Sequence, residues 1–142
     1  MRRRKKLRAV VIDHLDELKG FAAEGKPILI DLWQQGCAPC KVMNGIVDEL
    51  AADFDGVAHV VKVDVGRVPG AAAAFKVQST PTFVVMGRSQ KKPSKKARKR
   101  AGAAGAPAKK AYSPRWRGSG LVKKDVLERA LVSNGAAKES GI

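Results

Sequence analysis

Cys37 and Cys40 are the only cysteines in the 142-residue chain, and two residues separate them. A loop that short removes little entropy from an unfolded chain, so a bond between them has a chemical rather than an architectural purpose. Such a pair can be half of a zinc site, a structural pair or a redox centre. Zinc needs further ligands, and the other soft candidates, His14 and His59, fall on a predicted first helix and at a predicted strand start with no repeated ligand spacing. The expectation is a redox pair with no metal and no cofactor. That chemistry requires one sulfur held as a thiolate and a second placed to attack it.

The neighbouring elements are of the kind that would position such a pair. Ahead of it, Pro27 opens Ile28-Leu-Ile-Asp-Leu-Trp33, a short apolar run that predicts a strand buried on both faces. Behind it, Val42, Met43, Ile46, Val47, Leu50 and Phe54 recur at helical spacing, which predicts a helix beginning at or just after Cys37. Cys37 then meets the free amides and positive end of that helix, where a thiolate is stabilised, and reads as the nucleophile. Cys40, one turn inside, reads as the resolving thiol that attacks a mixed disulfide on Cys37. Pro39 suits the first helical turn and holds the sulfurs at bonding distance.

Residues 9 to 24 place Val11, Leu15, Leu18 and Phe21 at helical spacing and predict a first helix ending near Gly25. Val57 to Val65 is rich in β-branched residues and predicts a second buried strand; Val68 to Phe75, with Pro69 in its first turn, predicts a short helix. Val77 to Met86 predicts a strand entered through Pro81, Tyr112 to Arg117 an edge strand, and Gly118-Ser-Gly120 a turn. Leu121, Val126, Leu127, Ala130 and Leu131 suit a final helix. This alternation predicts an α/β domain over residues 9–142, a central mixed β-sheet flanked by helices.

Three stretches, Ile30-Asp-Leu-Trp33, Cys37-Ala-Pro-Cys-Lys41 and Ser79-Thr-Pro-Thr82, resemble thioredoxin. The resemblance runs from about Ile28 to Met86 and resumes from Trp116 to about Leu131. It implies the thioredoxin fold and a protein-disulfide reductase, with protein disulfides as substrates and a reductase such as thioredoxin reductase as partner. Residue by residue it implies that Asp31 is a buried carboxylate exchanging a proton with Cys40, that Trp33 packs against the active site, and that Lys62 lies near Asp31. Pro81 matches a cis-proline opposite the cysteines, where with Thr80 the backbone receives an extended substrate strand. Gly118 matches a glycine flanking that groove. The chain departs from the family's usual Trp-Cys-Gly-Pro-Cys in having Gly36 and Ala38, which removes apolar area from the docking face.

Charge is segregated. The net charge is +15, yet residues 2 to 8 carry six positive charges and residues 88 to 117 carry twelve, leaving 15 − 18 = −3 for the remainder. Residues 1–8 read as a basic tail. The low-complexity stretch at about 88–111, inside the C-terminal hairpin, reads as a flexible basic loop whose tip lies away from the cysteines. Lys91 to Arg100 has the charge density of a nucleic-acid or other polyanion contact, which without interleaved aromatics would be non-specific and salt-sensitive. The alternative function is accordingly a non-catalytic polyanion-binding protein using the fold as a scaffold. His59 reads as a surface or strand-edge histidine without a catalytic role, and Trp116 as a strand aromatic packing on the sheet rather than one stacking on nucleic-acid bases. No apolar stretch is long enough to span a bilayer, and Asp13 interrupts the start before a signal sequence or transit peptide develops. The resulting expectation is a cytoplasmic monomer.

Overall fold

The computed structural model describes residues 7–88 and 112–136. Its elements are β1 (Val10–Ile12), α1 (Glu17–Ala23), β2 (Ile28–Trp33), α2 (Ala38–Asp53), β3 (His59–Asp64), α3 (Ala71–Ala74), β4 (Thr82–Gly87), β5 (Ser113–Ser119) and α4 (Lys124–Ser133). The strands form one mixed sheet in the order β1-β3-β2-β4-β5. β3 is parallel to both β1 and β2, whereas β4 is antiparallel to β2 and to β5.

β2 occupies the middle of the sheet, as its apolar run, interrupted only by Asp31, favours. Because successive side chains alternate faces, Ile28, Ile30 and Leu32 enter one core with Val61, Val63, Val84 and Phe75, under α1 and α3. Leu29 enters the other, with Met43, Val47, Leu50, Phe54, Phe83, Leu127 and Leu131, under α2 and α4. Asp31 follows Leu29 on that second face and is the one charged side chain of β2. Lys124 ties the two helices of this layer together, reaching Glu49 at 3.1 Å and Asp53 at 3.0 Å.

The first predicted helix is shorter than its periodicity implied. Val10, Val11 and Ile12 instead form β1, pairing with Val61, Lys62 and Val63, and helix begins only at Glu17. Three consecutive β-branched residues are stiff at χ1 and favour a strand once a partner edge is available. Val42 is a second correction, because it lies 63% exposed while Cys40, Met43, Val47 and Leu50 carry the buried stripe of α2. The strand predicted from Val77 starts at Thr82, after the cis Thr80-Pro81 bond. Gly118 and Ser119 continue β5, leaving Gly120, with φ of 79°, to make the turn.

The basic loop expected at about 88–111 falls outside the described residues except for Arg88. Its flanking strand ends are described. Gly87 pairs with Ser113 at the opposite end of β4 from Thr82, and Tyr112 Oη donates a 2.7 Å hydrogen bond to the Lys26 carbonyl.

Candidate functional site

Where β2 ends, the chain passes through Gln34, Gln35 and Gly36 into the start of α2. Gly36 has a φ of 76° and nothing within 4 Å of where a Cβ would stand, so no side chain covers the approach to Cys37 from this position. Cys37 is the N-cap of α2 in extended conformation, and its sulfur accepts a 3.2 Å hydrogen bond from the Cys40 amide. Helix N-termini leave such amides without intrahelical partners. Pro39 occupies the first turn, where its missing N–H costs nothing.

Cys37 and Cys40 are joined in a disulfide with their Cα atoms 5.3 Å apart. The two sulfurs are not equivalent. Cys37 is half-buried at the rim, while Cys40 is only 3% exposed. Cys37 Sγ also lies 3.4 Å from the Thr80 carbonyl oxygen, to which the thiol form donates. Thr80 is the residue before cis-Pro81, so the loop between α3 and β4 presents its backbone directly to this sulfur. Trp33 and Asn44 wall a cavity of about 340 Å³ beside both cysteines.

Asp31 lies under the start of α2, 1% exposed and in register with Lys62 of β3 and Phe83 of β4. Its Oδ1 is buried without a hydrogen-bond partner among the described residues. Burial drives its carboxyl up from the ordinary 3.8 to about 7; the nearby Lys62 ammonium opposes the rise and Asp48 adds to it. Lys62 itself is held by α2: its Nζ donates to Asn44 Oδ1 at 3.1 Å and lies 3.5 Å from Asp48 Oδ1. Asp48 Oδ1 also accepts the Ala9 amide at 3.1 Å, just ahead of β1.

Sequence reasoning missed Asn44 and Asp48. The available signal was their spacing from Cys40 at four and eight residues, which places all three on one line along the helix. Gly120 was also missed. Its amide donates to the Pro81 carbonyl at 2.9 Å, whereas Gly118 lies beneath the Trp116 indole, where an added Cβ would stand 2.6 Å from Cη2. Gly118→Ala is therefore expected to displace the indole, changing tryptophan fluorescence and lowering stability by about 1–2 kcal/mol in urea unfolding. An unchanged spectrum and midpoint would contradict this packing.

The remaining candidates stay apart from the dithiol. His59 Nε2 lies 3.1 Å from Glu24 and its ring packs 4.7 Å from that of Phe21, at the far end of β3. His14 is exposed between β1 and α1. Among the described residues no group of three His, Cys, Asp or Glu is placed to hold a metal ion, and no helix is long and apolar enough to cross a membrane.

Comparison with known proteins places the chain among relatives of one kind. The thioredoxin family model matches residues 11–105, more than half of the chain. The thioredoxin of Staphylococcus saprophyticus is 46% identical over 57 residues, which is 40% of this chain and 55% of that protein. The thioredoxin of Staphylococcus aureus strain N315 is 44% identical over the same shares. The chain thus spans about half the length of the curated relatives it matches. Among solved structures, a mutant thioredoxin from Halobacterium salinarum NRC-1 superposes with a TM-score of 0.64 at 20% identity, covering 96% of this chain and 98% of that one. Fasciola hepatica thioredoxin gives 0.61 at 24% identity, covering 88% and 98%. The sheet order and helix layers described above are those of the thioredoxin fold.

Proposed function

Since the chain belongs to the thioredoxin family, we propose that it is a thiol-disulfide oxidoreductase that reduces protein disulfides through Cys37 and Cys40. The observation that carries this reading is the asymmetry of the pair. Cys37 sits at the rim, on a helix N-terminus and against the Thr80 carbonyl, while Cys40 is buried one turn inside the helix.

In the reduced protein the Cys37 thiolate attacks one sulfur of a substrate disulfide. A Cys37–substrate mixed disulfide forms, and the other substrate sulfur leaves and takes a proton. Cys40 gives up its proton, Asp31 being the buried base in this layer, and its thiolate attacks Cys37. The Cys37–Cys40 disulfide forms and the second substrate thiol is released, the two electrons having come from the dithiol. Pro39 keeps the sulfurs in reach. Thr80 and cis-Pro81 receive the substrate backbone as an added strand, beside Trp33 on one side and the β5 end on the other. There Gly120, closer to Pro81 than the expected Gly118, supports the groove. A thioredoxin reductase returns the disulfide to the dithiol, and the protein works as a cytoplasmic monomer. No observation among the described residues favours the alternative of a polyanion-binding scaffold.

The test is reduction of insulin by dithiothreitol with and without the protein. Faster precipitation of the insulin B chain is expected; a folded protein that gives no acceleration would refute the proposal.

A further inference from the structure

A second cavity lies on the α3 side of the cis-Pro81 loop and has no part in the chemistry above. It measures about 390 Å³ and is lined by Lys76, Gln78, Ser79, Thr82, Arg117 and Ser119. Its floor is built rather than loose: Thr82, 1% exposed, donates from Oγ1 to the Ser79 carbonyl at 2.6 Å and lies 3.2 Å from Ser119 Oγ. Its wall is also fixed, since Arg117 Nη2 donates to the Lys76 carbonyl at 2.6 Å. Among the described residues Lys76 alone, glycines aside, has a positive φ, at 51°. The backbone is therefore held in a region side chains seldom adopt, with the Lys76 carbonyl clamped by Arg117 and its cation beside the opening.

Lys76 and Arg117 have no carboxylate within 4 Å among the described residues, so neither charge is neutralised by a neighbour. Arg117 spends one of its five N–H donors on Lys76 and keeps the others for a ligand. The location matters as much as the charge. Ser79 directly precedes Thr80, whose carbonyl touches Cys37 Sγ, and Ser119 directly precedes Gly120, whose amide meets the Pro81 carbonyl. On the loop side the cavity is thus one residue away from the carbonyl that faces the attacking sulfur, and on the β5 side one residue away from the amide that bonds Pro81.

We propose that this cavity is a subsite for an acidic side chain of the polypeptide substrate, taking its carboxylate between Lys76 and Arg117 with the Ser79 hydroxyl as a further donor. This rests on the disulfide-reductase reading and deepens it by naming a substrate feature. An apolar side chain there would leave two cations and the Ser79 hydroxyl without exchange for their water, while a carboxylate forms charge-assisted hydrogen bonds with them.

The experiment uses disulfide-bonded peptides with a single Glu placed in turn at each of the two residues before and after the attacked cysteine, each compared with its Gln counterpart. At one position the wild-type protein is expected to show a Glu-over-Gln ratio in kcat/KM of about tenfold at low salt, falling as salt is raised. That ratio is expected to approach one in Lys76→Gly and in Arg117→Gln. Lys76→Gly is the safer variant for folding, because glycine adopts this φ without steric cost. Equal reduction of Glu and Gln peptides at every position, or a ratio that survives both substitutions, overturns the subsite alone. Failure of the wild-type protein to reduce any of these peptides overturns the dithiol reading and the subsite with it.

Discussion

Cys37→Ser is expected to lower insulin reduction to the rate of dithiothreitol alone, while Cys40→Ser is expected to accumulate a covalent complex with its substrate. The two substitutions differ because the two sulfurs do. Cys37 is the half-exposed one, with the Cys40 amide 3.2 Å away and the Thr80 carbonyl 3.4 Å away, so removing it deletes the only sulfur a protein disulfide can reach. Cys40 is 3% exposed and reachable only from Cys37. Without it the first exchange proceeds and the second does not, and the mixed disulfide persists until an external thiol releases it. Non-reducing electrophoresis separates the outcomes. Turnover retained in Cys37→Ser, or a trapped complex formed by that variant and not by Cys40→Ser, would assign the roles the other way or remove them.

Asp31→Asn is expected to make the protein more stable at pH 8 and slower at neutral pH. The sign follows from proton binding. The Asp31 carboxyl is raised from 3.8 to about 7 in the folded state, so between those values the folded protein holds a proton that the unfolded chain has lost. Stability from this group is full below about pH 4, declines as pH rises from 4 to 7, and is level above. At about 1.4 kcal/mol per pH unit, the folded state loses roughly 4 kcal/mol across that window. Asparagine carries no charge to bury, so urea unfolding of the oxidised protein should show a gain of about 2–4 kcal/mol at pH 8 and little change at pH 4. In the mechanism proposed above the same residue is the base for Cys40, and its loss is then expected to slow release of the mixed disulfide by about 10²-fold at pH 7. A variant no more stable than wild type at pH 8 would mean that the carboxylate is compensated in the folded state. Unchanged release would leave the Cys40 proton to another group, and Lys62, held between Asn44 and Asp48, would be the next to test.

These effects originate in parts of the chain that differ in how openly the sequence announces them. The apolar residues of β2, on both faces around Asp31, are best buried in the middle of a sheet, and the two cysteines follow at the start of a periodic helix. The dithiol and its placement were therefore legible. Asp31 was legible for the same reason, because a carboxylate inside such a run is carried into the interior with it. Val10 to Ile12 were not, because three β-branched residues suit either the end of a helix or a strand, and only the free edge of β3 decides between them. Val42 was misplaced because six apolar residues on one helix define a broad stripe, and its true edge depends on where the sheet lies beneath α2.

By itself the sequence announced a two-cysteine centre at a strand-to-helix junction with a carboxylate in the adjoining strand, which are local properties of residue type and spacing. The buried role of that carboxylate and the proline loop facing the cysteines were implied by the resemblance to thioredoxin. Only the tertiary structure decided which groups meet: that Asn44 and Asp48 hold Lys62 while Asp31 keeps an oxygen without a partner among the described residues, that Gly120 bonds Pro81 while Gly118 lies under Trp116, and that Lys76 and Arg117 close a cavity beside the substrate loop. Apart from Gly118 and Trp116, neighbours on β5, these pairs join residues distant in sequence, Lys62 and Asn44 being 18 positions apart and Lys76 and Arg117 41, and a register shift of one residue sends every side chain of a strand to the opposite face.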